Sequence, residues 1–495
     1  AGRARLIKQM LTESLLLSLL GGAAGLLLAV WGVKALVALA PAELHQIRES
    51  SVDGAALGFT FLATLLTGLA AGLIPALQSS RIDLNEALKE GARKAGFRRR
   101  WLGRVSPALI IGEMALTLVV LTGAGLLVKS YLRVLAVNPG FDQKNLLTLR
   151  VQNDLDQAQS RPGSPQGRAF YQEIITRVKA LPGVKAVAGA FVGIPLTGGV
   201  CTSVLSIESR APAPDAQRPR AECSVISPDY FRTMGMQLRA GRFFTEQDDD
   251  KAPPVVIINE TLARRYLPGE DPIGKRIFPD DPTTIVGVVS DVKRLGLEAE
   301  AIPEHYNPYS QIEEDPGFIY LAVRTTGDPL DSVAAVRQQI FALGVKEPIL
   351  DVRTMEQLLA EPLAPRRFQM LLFSVFAVVA LVLAAVGVYG AIAYSVSRRT
   401  HEIGIRMALG ARPRDVLLLV VRQGMTLSLV GVCIGLGAAL GVTRVMKGLL
   451  FELSVTDPPT FTLIAALMLG VAFLACYLPA CGATKVDPMT ALRQE

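Results

Sequence analysis

Six stretches of this chain are almost purely apolar and long enough to cross a bilayer, which takes about 20 helical residues. They run approximately over 14–37, 56–78, 107–128, 369–394, 417–441 and 460–481. A buried core helix is the alternative for any one of them. Six such runs, with basic residues recurring on alternate sides, point instead to a multi-spanning membrane protein. A polar stretch of well over 200 residues, 129–366, separates the third run from the fourth.

The short connections orient the spans. Between the second and third lie Arg81, Lys89, Arg93, Lys94, Arg98, Arg99, Arg100 and Arg104; between the fourth and fifth lie Arg398, Arg399, Arg406, Arg412 and Arg414. The opposite loops, around Glu43–Asp53 and Glu452–Asp457, carry more acid. Lys and Arg accumulate on the cytoplasmic side, so both termini are expected in the cytoplasm and 129–366 outside.

The outer segment has the pattern of a folded α+β domain. Strand-like runs occur at Leu146–Val151, Val255–Ile258, Thr284–Val292, Ile319–Val323 and Ile349–Val352. Helical patterns occur at Ala169–Leu181, Glu260–Tyr266 and Leu330–Leu343. The turn signals Pro182-Gly183, Pro268-Gly269 and Gly327-Asp328-Pro329 separate them. No regular βαβ rhythm appears, so mixed sheets in one or two subdomains are expected. Residues 209–221 read as a hairpin tip.

The end of the chain repeats its beginning. At an offset of 404, Pro75 pairs with Pro479, Arg81 with Lys485, Asp83 with Asp487, and Asp53 with Asp457. Upstream the offset is 410, pairing Leu17-Ser18-Leu19 with Leu427-Ser428-Leu429, Gly21 with Gly431 and Gly25 with Gly435. Polar matches at a fixed offset favour duplication over chance similarity of apolar helices. The chain starts at Ala1 with no signal-peptide pattern. By the repeat, a first outer domain and two first-half spans, roughly 300 residues, are expected upstream.

Composition narrows the function classes. Half of the 495 residues are hydrophobic and 19% are charged, with a mean hydropathy of +0.37. The net charge of +7 comes from residues flanking the apolar runs, which speaks against a nucleic-acid partner. Of five cysteines, Cys433, Cys476 and Cys481 lie in apolar runs; Cys201 and Cys223 lie in the polar region and can pair if it faces an oxidising compartment. No His or Cys spacing suggests a metal site, and His45, His305 and His401 stand far apart. No catalytic residues are assigned: the outer segment holds His305, no G-x-S-x-G, and the acidic run Glu313-Glu314-Asp315, read as a solvated loop.

Four features carry candidate function. The stretch Glu402-Ile403-Gly404-Ile405-Arg406-Met407-Ala408-Leu409-Gly410-Ala411 is short and amphipathic, with Glu402 and Arg406 spaced to pair; it suits a helix docking on a partner, or a solvated interfacial helix. The pairs Gly21/Gly25, Gly68/Gly72 and Gly431/Gly435 allow close approach of helices. Glu113 stands a little inside the third span, where a carboxylate is a functional candidate, though close enough to the interface to reach water or Arg104. Gly269–Arg276 fits G-x-x-x-x-G-K, but Arg276 replaces the Ser or Thr that would bind magnesium, and Glu270 and Asp271 oppose phosphate.

The segment from Glu402 to Ala411 resembles the E-I-G-x-R-x-A-x-G-A segment of FtsX-like, macrolide-exporter (MacB-like) permeases of ABC transporters. Residues 107–495 resemble that family over nearly their whole length, with Ser227-Pro228-Asp229-Tyr230-Phe231, Gly235, Asn259-Glu260 and Gly274-Lys275 resembling its periplasmic core. The resemblance implies a tandem-duplicated permease: residues 1–83 as the last two spans of a first copy, 84–106 a basic cytoplasmic linker, 107–128 a span, 129–366 the periplasmic core, and 367–495 the permease domain with three spans. It implies that a separate cytoplasmic ABC ATPase dimer, binding ATP and Mg, engages Glu402, Gly404, Arg406, Ala408 and Gly410, with tail helices after Asp83 and Asp487-Pro488 added to that surface. This chain would bind no cofactor of its own, sit in the bacterial inner membrane among lipid, and admit a periplasmic or outer-membrane partner. Efflux or export is the function implied. A mechanical transmitter regulating an extracytoplasmic enzyme shares the same fold, and a membrane-anchored enzyme is a third class.

Overall fold

The structure is a computed structural model, and it describes residues 3–39, 53–80, 93–152, 165–191, 193–197, 201–208, 218–278, 282–312, 318–345, 349–398, 403, 405–407, 409–410, 412–454 and 456–483. It divides into two compact units, Ala1–Arg133 with Ala364–Glu495, and Val134–Leu363.

The chain opens with three long helices, α1 (Arg3–Leu39), α2 (Gly54–Ser80) and α3 (Arg93–Leu135). The outer unit then follows in the order β1 (Leu146–Gln152), α4 (Pro165–Lys179), β2 (Val184–Ala190), β3 (Cys201–Val204), β4 (Arg220–Ile226), α5 (Tyr230–Met234), β5 (Leu238–Gly241), β6 (Val255–Asn259), α6 (Glu260–Tyr266), β7 (Arg276–Ile277) and β8 (Thr283–Val289). It continues with β9 (Glu304–Pro308), β10 (Phe318–Thr325), α7 (Val333–Phe341), β11 (Leu350–Thr354) and α8 (Met355–Ala360). Three long helices close the chain: α9 (Ala364–Arg398), α10 (Pro413–Val445) and α11 (Pro458–Ala483).

Among the described residues, five helical segments are long and apolar enough to cross a membrane: Leu11–Ala35, Pro107–Leu135, Met355–Ser397, Pro413–Leu449 and Pro458–Gly482. The remaining apolar run falls within α2, whose stretch Gly54–Leu69 is apolar. The chain is a multi-pass membrane protein. One boundary moves: α3 continues past the expected end of the span at 128 to Leu135, and the compact outer unit begins at Val134. The apolar count falls after residue 128, but Ser130, Val134 and their neighbours still propagate the helix, because one added residue gains one backbone bond.

In the membrane unit, α3, α9, α10 and α11 share one core that includes Met114, Leu118, Ala384, Val388, Val432, Met468 and Ala472. Lipid tails are as apolar as these side chains, so close fit rather than water exclusion must hold the helices. Small residues provide it: a Cβ at Gly424 would run into Cys476, and one at Gly125 would meet Ile464 at 3.0 Å. At one end of the bundle Lys129 of α3 donates to both carboxylate oxygens of Asp457, at 2.6 and 2.7 Å, just before α11. That contact holds the Asp457 carboxyl below the usual carboxylate range.

Among the described residues of the outer unit, eleven strands form a single mixed sheet, ordered β11-β1-β10-β2-β4-β9-β6-β8-β5, with β3 beside β4 and β7 beside β8. Two cores flank it. One packs β1, β2 and β10 against α4 and α7 through Leu149, Ile174, Val187, Leu321 and Ile340. The other gathers Leu205, Val256, Ile258, Leu262 and Ile285 around β6, β8 and α6. Between the halves, β2 and β4 meet through one register pair, Ala190 with Ile226. The expected mixed sheets thus form one sheet with a narrow waist. Its five expected strands match β1, β6, β8, β10 and β11, and α4, α6 and α7 fall on the three helical patterns.

Candidate coupling site

The segment between α9 and α10 is built to form one tight, outward-facing turn. Leu409 N–H donates to the Ile405 carbonyl at 2.9 Å and Gly410 N–H to that of Met407 at 3.1 Å. Gly410 then turns out with φ of 97°, a left-handed conformation that costs a residue with a Cβ about 1–2 kcal/mol. Three residues later α10 starts on Pro413, whose missing N–H is no loss in a first helical turn. Arg412 and Asp415 bracket that start: Arg412 N–H donates to the Asp415 carboxylate at 3.1 Å, and Asp415 N–H to the Arg412 carbonyl at 2.9 Å.

The apolar side chains of this turn divide between two faces. Ile403 is buried, lining a small cleft with Ile392, Val396, Arg406, Val420 and Gln423. On the other face Leu409 is 83% exposed and Ile405 40%. One isoleucine thus anchors the turn to α9 and α10, while a leucine and a second isoleucine stand out from it. Of the residues expected at an ATPase-coupling surface, Arg406 lines the cleft and Gly410 closes the turn. Glu402, Gly404 and Ala408 lie outside the described residues, as do His401, His45 and the tails after Asp83 and Asp487.

The glycine pairs part company. A Cβ at Gly431 would meet the Met114 Cβ at 2.7 Å and the Ile111 carbonyl at 3.0 Å, and one at Gly435 the Ala115 carbonyl at 2.9 Å. These two glycines bring α10 against α3. Gly21 and Gly25, expected to act likewise in α1, have nothing within 4 Å. In that hairpin Gly22 meets Thr64, and Gly68 meets Ser18. Neighbouring helix positions differ by about 100° around the axis, so Gly22 and Gly21 cannot serve the same contact. Gly72 falls outside the residues with described side chains.

In the outer unit Cys201 and Cys223 are register partners on antiparallel β3 and β4, Cα atoms 5.1 Å apart, with their sulfurs joined. Residues 209–217 of the expected hairpin tip and the acidic run 313–315 lie outside the described residues. The segment from Gly269 to Arg276 is a turn with positive φ at Gly269 and Gly274. Lys275 is ion-paired with Glu270, so its charge is already met by a carboxylate rather than held for phosphate.

Sequence reasoning missed the polar centre of this unit. Glu304 on β9 is ion-paired to Arg294 at 2.6 Å, with both side chains under 5% exposed. Ser224 donates to the same carboxylate at 2.9 Å, and the Tyr306 hydroxyl donates to it at 2.8 Å. Burial pushes the Tyr306 and Tyr230 hydroxyls up, so both stay neutral. Asn259 links this centre to α6: its side-chain oxygen accepts from Leu262 N–H at 2.9 Å as helix cap and from Glu304 N–H at 3.0 Å, and its amide donates to the Ile302 carbonyl at 2.7 Å. The Asn259-Glu260 start of α6 was readable as a cap. Its second role depends on a strand 45 residues away. The motif around Tyr230 is also structural, with Tyr230 and Phe231 fully buried and Gly235 at φ 72°, where a Cβ would press on Asp142.

Two family models match the chain, the MacB-like periplasmic core domain over residues 108–342 and the FtsX-like permease C-terminal region over 374–488. Macrolide export ATP-binding/permease protein MacB 2 of Aeromonas hydrophila subsp. hydrophila is 30% identical over 285 residues, covering 54% of this chain and 43% of its own. The probable syringafactin export ATP-binding/permease protein SyfD of Pseudomonas syringae pv. tomato is 30% identical over 302 residues, 56% of this chain and 42% of its own. MacB of Hahella chejuensis is 27% identical over 440 residues, 85% of this chain and 64% of its own. The chain therefore spans less than two thirds of the length of these relatives. The periplasmic region of MacB from Actinobacillus actinomycetemcomitans aligns over 46% of this chain and 95% of its own, at 18% identity and a TM-score of 0.31. With a periplasmic core and a permease region following one another along most of its length, this chain belongs to the FtsX-like, MacB-like permease family of ABC transporters.

Proposed function

We propose that the chain is the permease part of an ABC-type exporter in the bacterial inner membrane, with both termini cytoplasmic and its outer unit in the periplasm. ATP and magnesium are bound by a cytoplasmic ATPase dimer on a separate subunit. That ATPase docks on the turn between α9 and α10, and its closure moves these helices and through them the outer unit. A periplasmic or outer-membrane partner receives the cargo. The relatives named for macrolide and syringafactin export make amphipathic molecules the cargo class to try first.

The observation that carries this reading is the split turn, with Ile403 buried between α9 and α10 while Leu409 and Ile405 point outward. An exposed leucine on a rigid turn at the mouth of two membrane helices is costly in water and useful at an interface. The basic residues around it support a cytoplasmic position for it.

The test is purification of the full-length protein from mild detergent, with ATP hydrolysis assayed and co-purifying chains identified. A stoichiometric ABC ATPase whose retention falls about tenfold in Leu409→Glu, in a variant that still folds, supports the proposal. Retention of the ATPase at full strength in that variant, or no ATPase under several gentle conditions, defeats it.

A further inference from the structure

Glu113 of α3 is the one carboxylate in the described part of the four-helix core whose position the coupling reading does not use. Its carboxyl group lies directly against Gly387 of α9: the three atoms nearest to a Cβ built at Gly387 are the carboxyl carbon and both oxygens of Glu113. Any residue larger than glycine would occupy the space the carboxyl takes. The α9 residues flanking Gly387 toward the core are apolar and buried, Ala384 and Val388 at 1% exposure, as is Met114 beside the glutamate. One turn along α3, the Thr117 hydroxyl reaches the Ala380 carbonyl of α9 at 3.4 Å, so the two helices lie close over this whole stretch.

The notch supplies no counter-charge among the described residues; the side chain of Arg104, earlier on α3, lies outside them. Glu113 forms no hydrogen bond or ion pair with a described residue; the ion pairs of the membrane unit lie elsewhere, such as Lys129 with Asp457. On α9 the ionisable residues nearest in sequence to Gly387 are Tyr389 and Tyr394. On α10, which packs on the neighbouring positions Ile111 and Met114 through Gly431, they are Arg422 and Cys433. No hydrogen bond joins any of the four to Glu113. From α11, Cys476 packs on Gly424 instead. The glutamate stands six residues inside Pro107, about 9 Å along the helix.

We propose that Glu113 is an intramembrane proton-binding site whose occupancy reports the packing of α3 on α9. Seated half-buried against Gly387, the carboxyl carries its proton, because the apolar side chains packed around the notch disfavour an unpaired carboxylate. When α9 moves off α3, the notch opens to water and the group releases its proton. One proton linked to one helix movement changes the ratio of closed to open forms by up to about tenfold per pH unit. Acid favours the closed notch. The site makes helix movement in this permease pH-sensitive independently of the ATPase.

The experiment uses the full chain in lipid nanodiscs, without ATP or ATPase, so its failure leaves the coupling proposal untouched. Infrared difference spectra between about pH 5 and about pH 9 are expected to show a protonated-carboxyl band that disappears in Glu113→Gln. Spin labels on the exposed positions Leu109 and Val386 are expected to show a separation that grows with pH in the parent chain and is unresponsive in Glu113→Gln. Gly387→Ala, which fills the notch, is expected to displace the carboxyl and to move the band. Identical infrared titrations of parent and Glu113→Gln overturn the site. A titrating band with label distances that ignore pH overturns its link to helix packing.

Discussion

Arg294 and Glu304 meet at 2.6 Å in the interior of the outer unit, ten residues apart in sequence and both nearly sealed from water. Their carboxylate is shared with Ser224 of β4 and Tyr306 of β9, beside the waist where β2 and β4 touch through one residue pair. Removing one partner strands a charge, which costs about 3–5 kcal/mol. We expect Arg294→Met to lower the thermal midpoint of the full chain in detergent steeply, and Arg294→Met with Glu304→Leu to recover much of the loss. Equal losses in single and double variants would show that the pair is not the source.

His305 lies one residue along β9, on the opposite face, buried against Phe278 with ring centroids 5.2 Å apart. Its Nε2 has no hydrogen-bond partner among the described residues. Burial depresses its pKa from 6.5 to about 4. The unfolded chain therefore binds the proton more readily. The stability due to a neutral His305 is complete above pH 6.5 and is lost as pH falls toward about 4, amounting to about 3 kcal/mol over that window. Midpoints measured against pH should drop across it, and His305→Phe should flatten the drop. An unchanged pH profile in that variant would assign the acid sensitivity to other groups.

The pairs Gly431/Gly435 and Gly21/Gly25 should respond in opposite ways to bulk. Gly431→Leu or Gly435→Leu forces α10 off α3, whose Met114 and Ala115 leave no space, and overpacking of this kind costs about 1–3 kcal/mol or more. Gly21→Leu and Gly25→Leu meet nothing within 4 Å and should leave detergent stability unchanged. Thermal melts of the four variants decide the matter. Comparable damage from Gly25→Leu and Gly435→Leu would contradict the packing described.

Joining Cys201 to Cys223, 22 residues apart, restricts the unfolded chain by about 3 kcal/mol in the loop-entropy model. Protein from the periplasmic face should yield the linked peptides on non-reducing mapping, and reduction should lower the midpoint. Free thiols at both positions in such protein would remove the link.

Two features were legible in the residues alone. The apolar runs declared the helices of the membrane unit, because a bilayer leaves a spanning segment no other way to satisfy its backbone. The matches at fixed offset paired Gly21 with Gly431 and Asp53 with Asp457. Strands with a strong period-two or continuous apolar pattern, such as Val255–Asn259 and Phe318–Thr325, were visible as well. β2, β3, β4, β5, β7 and β9 were not; short or polar strands among them, such as Glu304–Pro308, take their conformation from their neighbours in the sheet.

What each feature does was settled by three-dimensional packing. Glycines that match at a fixed offset differ in surroundings, Gly431 meeting Met114 and Gly21 nothing within 4 Å, since packing depends on which helix stands opposite. Asp457 reads as a loop acid until Lys129, 328 residues earlier, is brought to it. Glu304 and Arg294 read as ordinary surface charges until the sheet buries them. The membrane spans and the family were written in local periodicity and motif. The polar centre, the open glycines and the notch at Gly387 belong to the tertiary structure, because each is a meeting of residues that no local pattern can align.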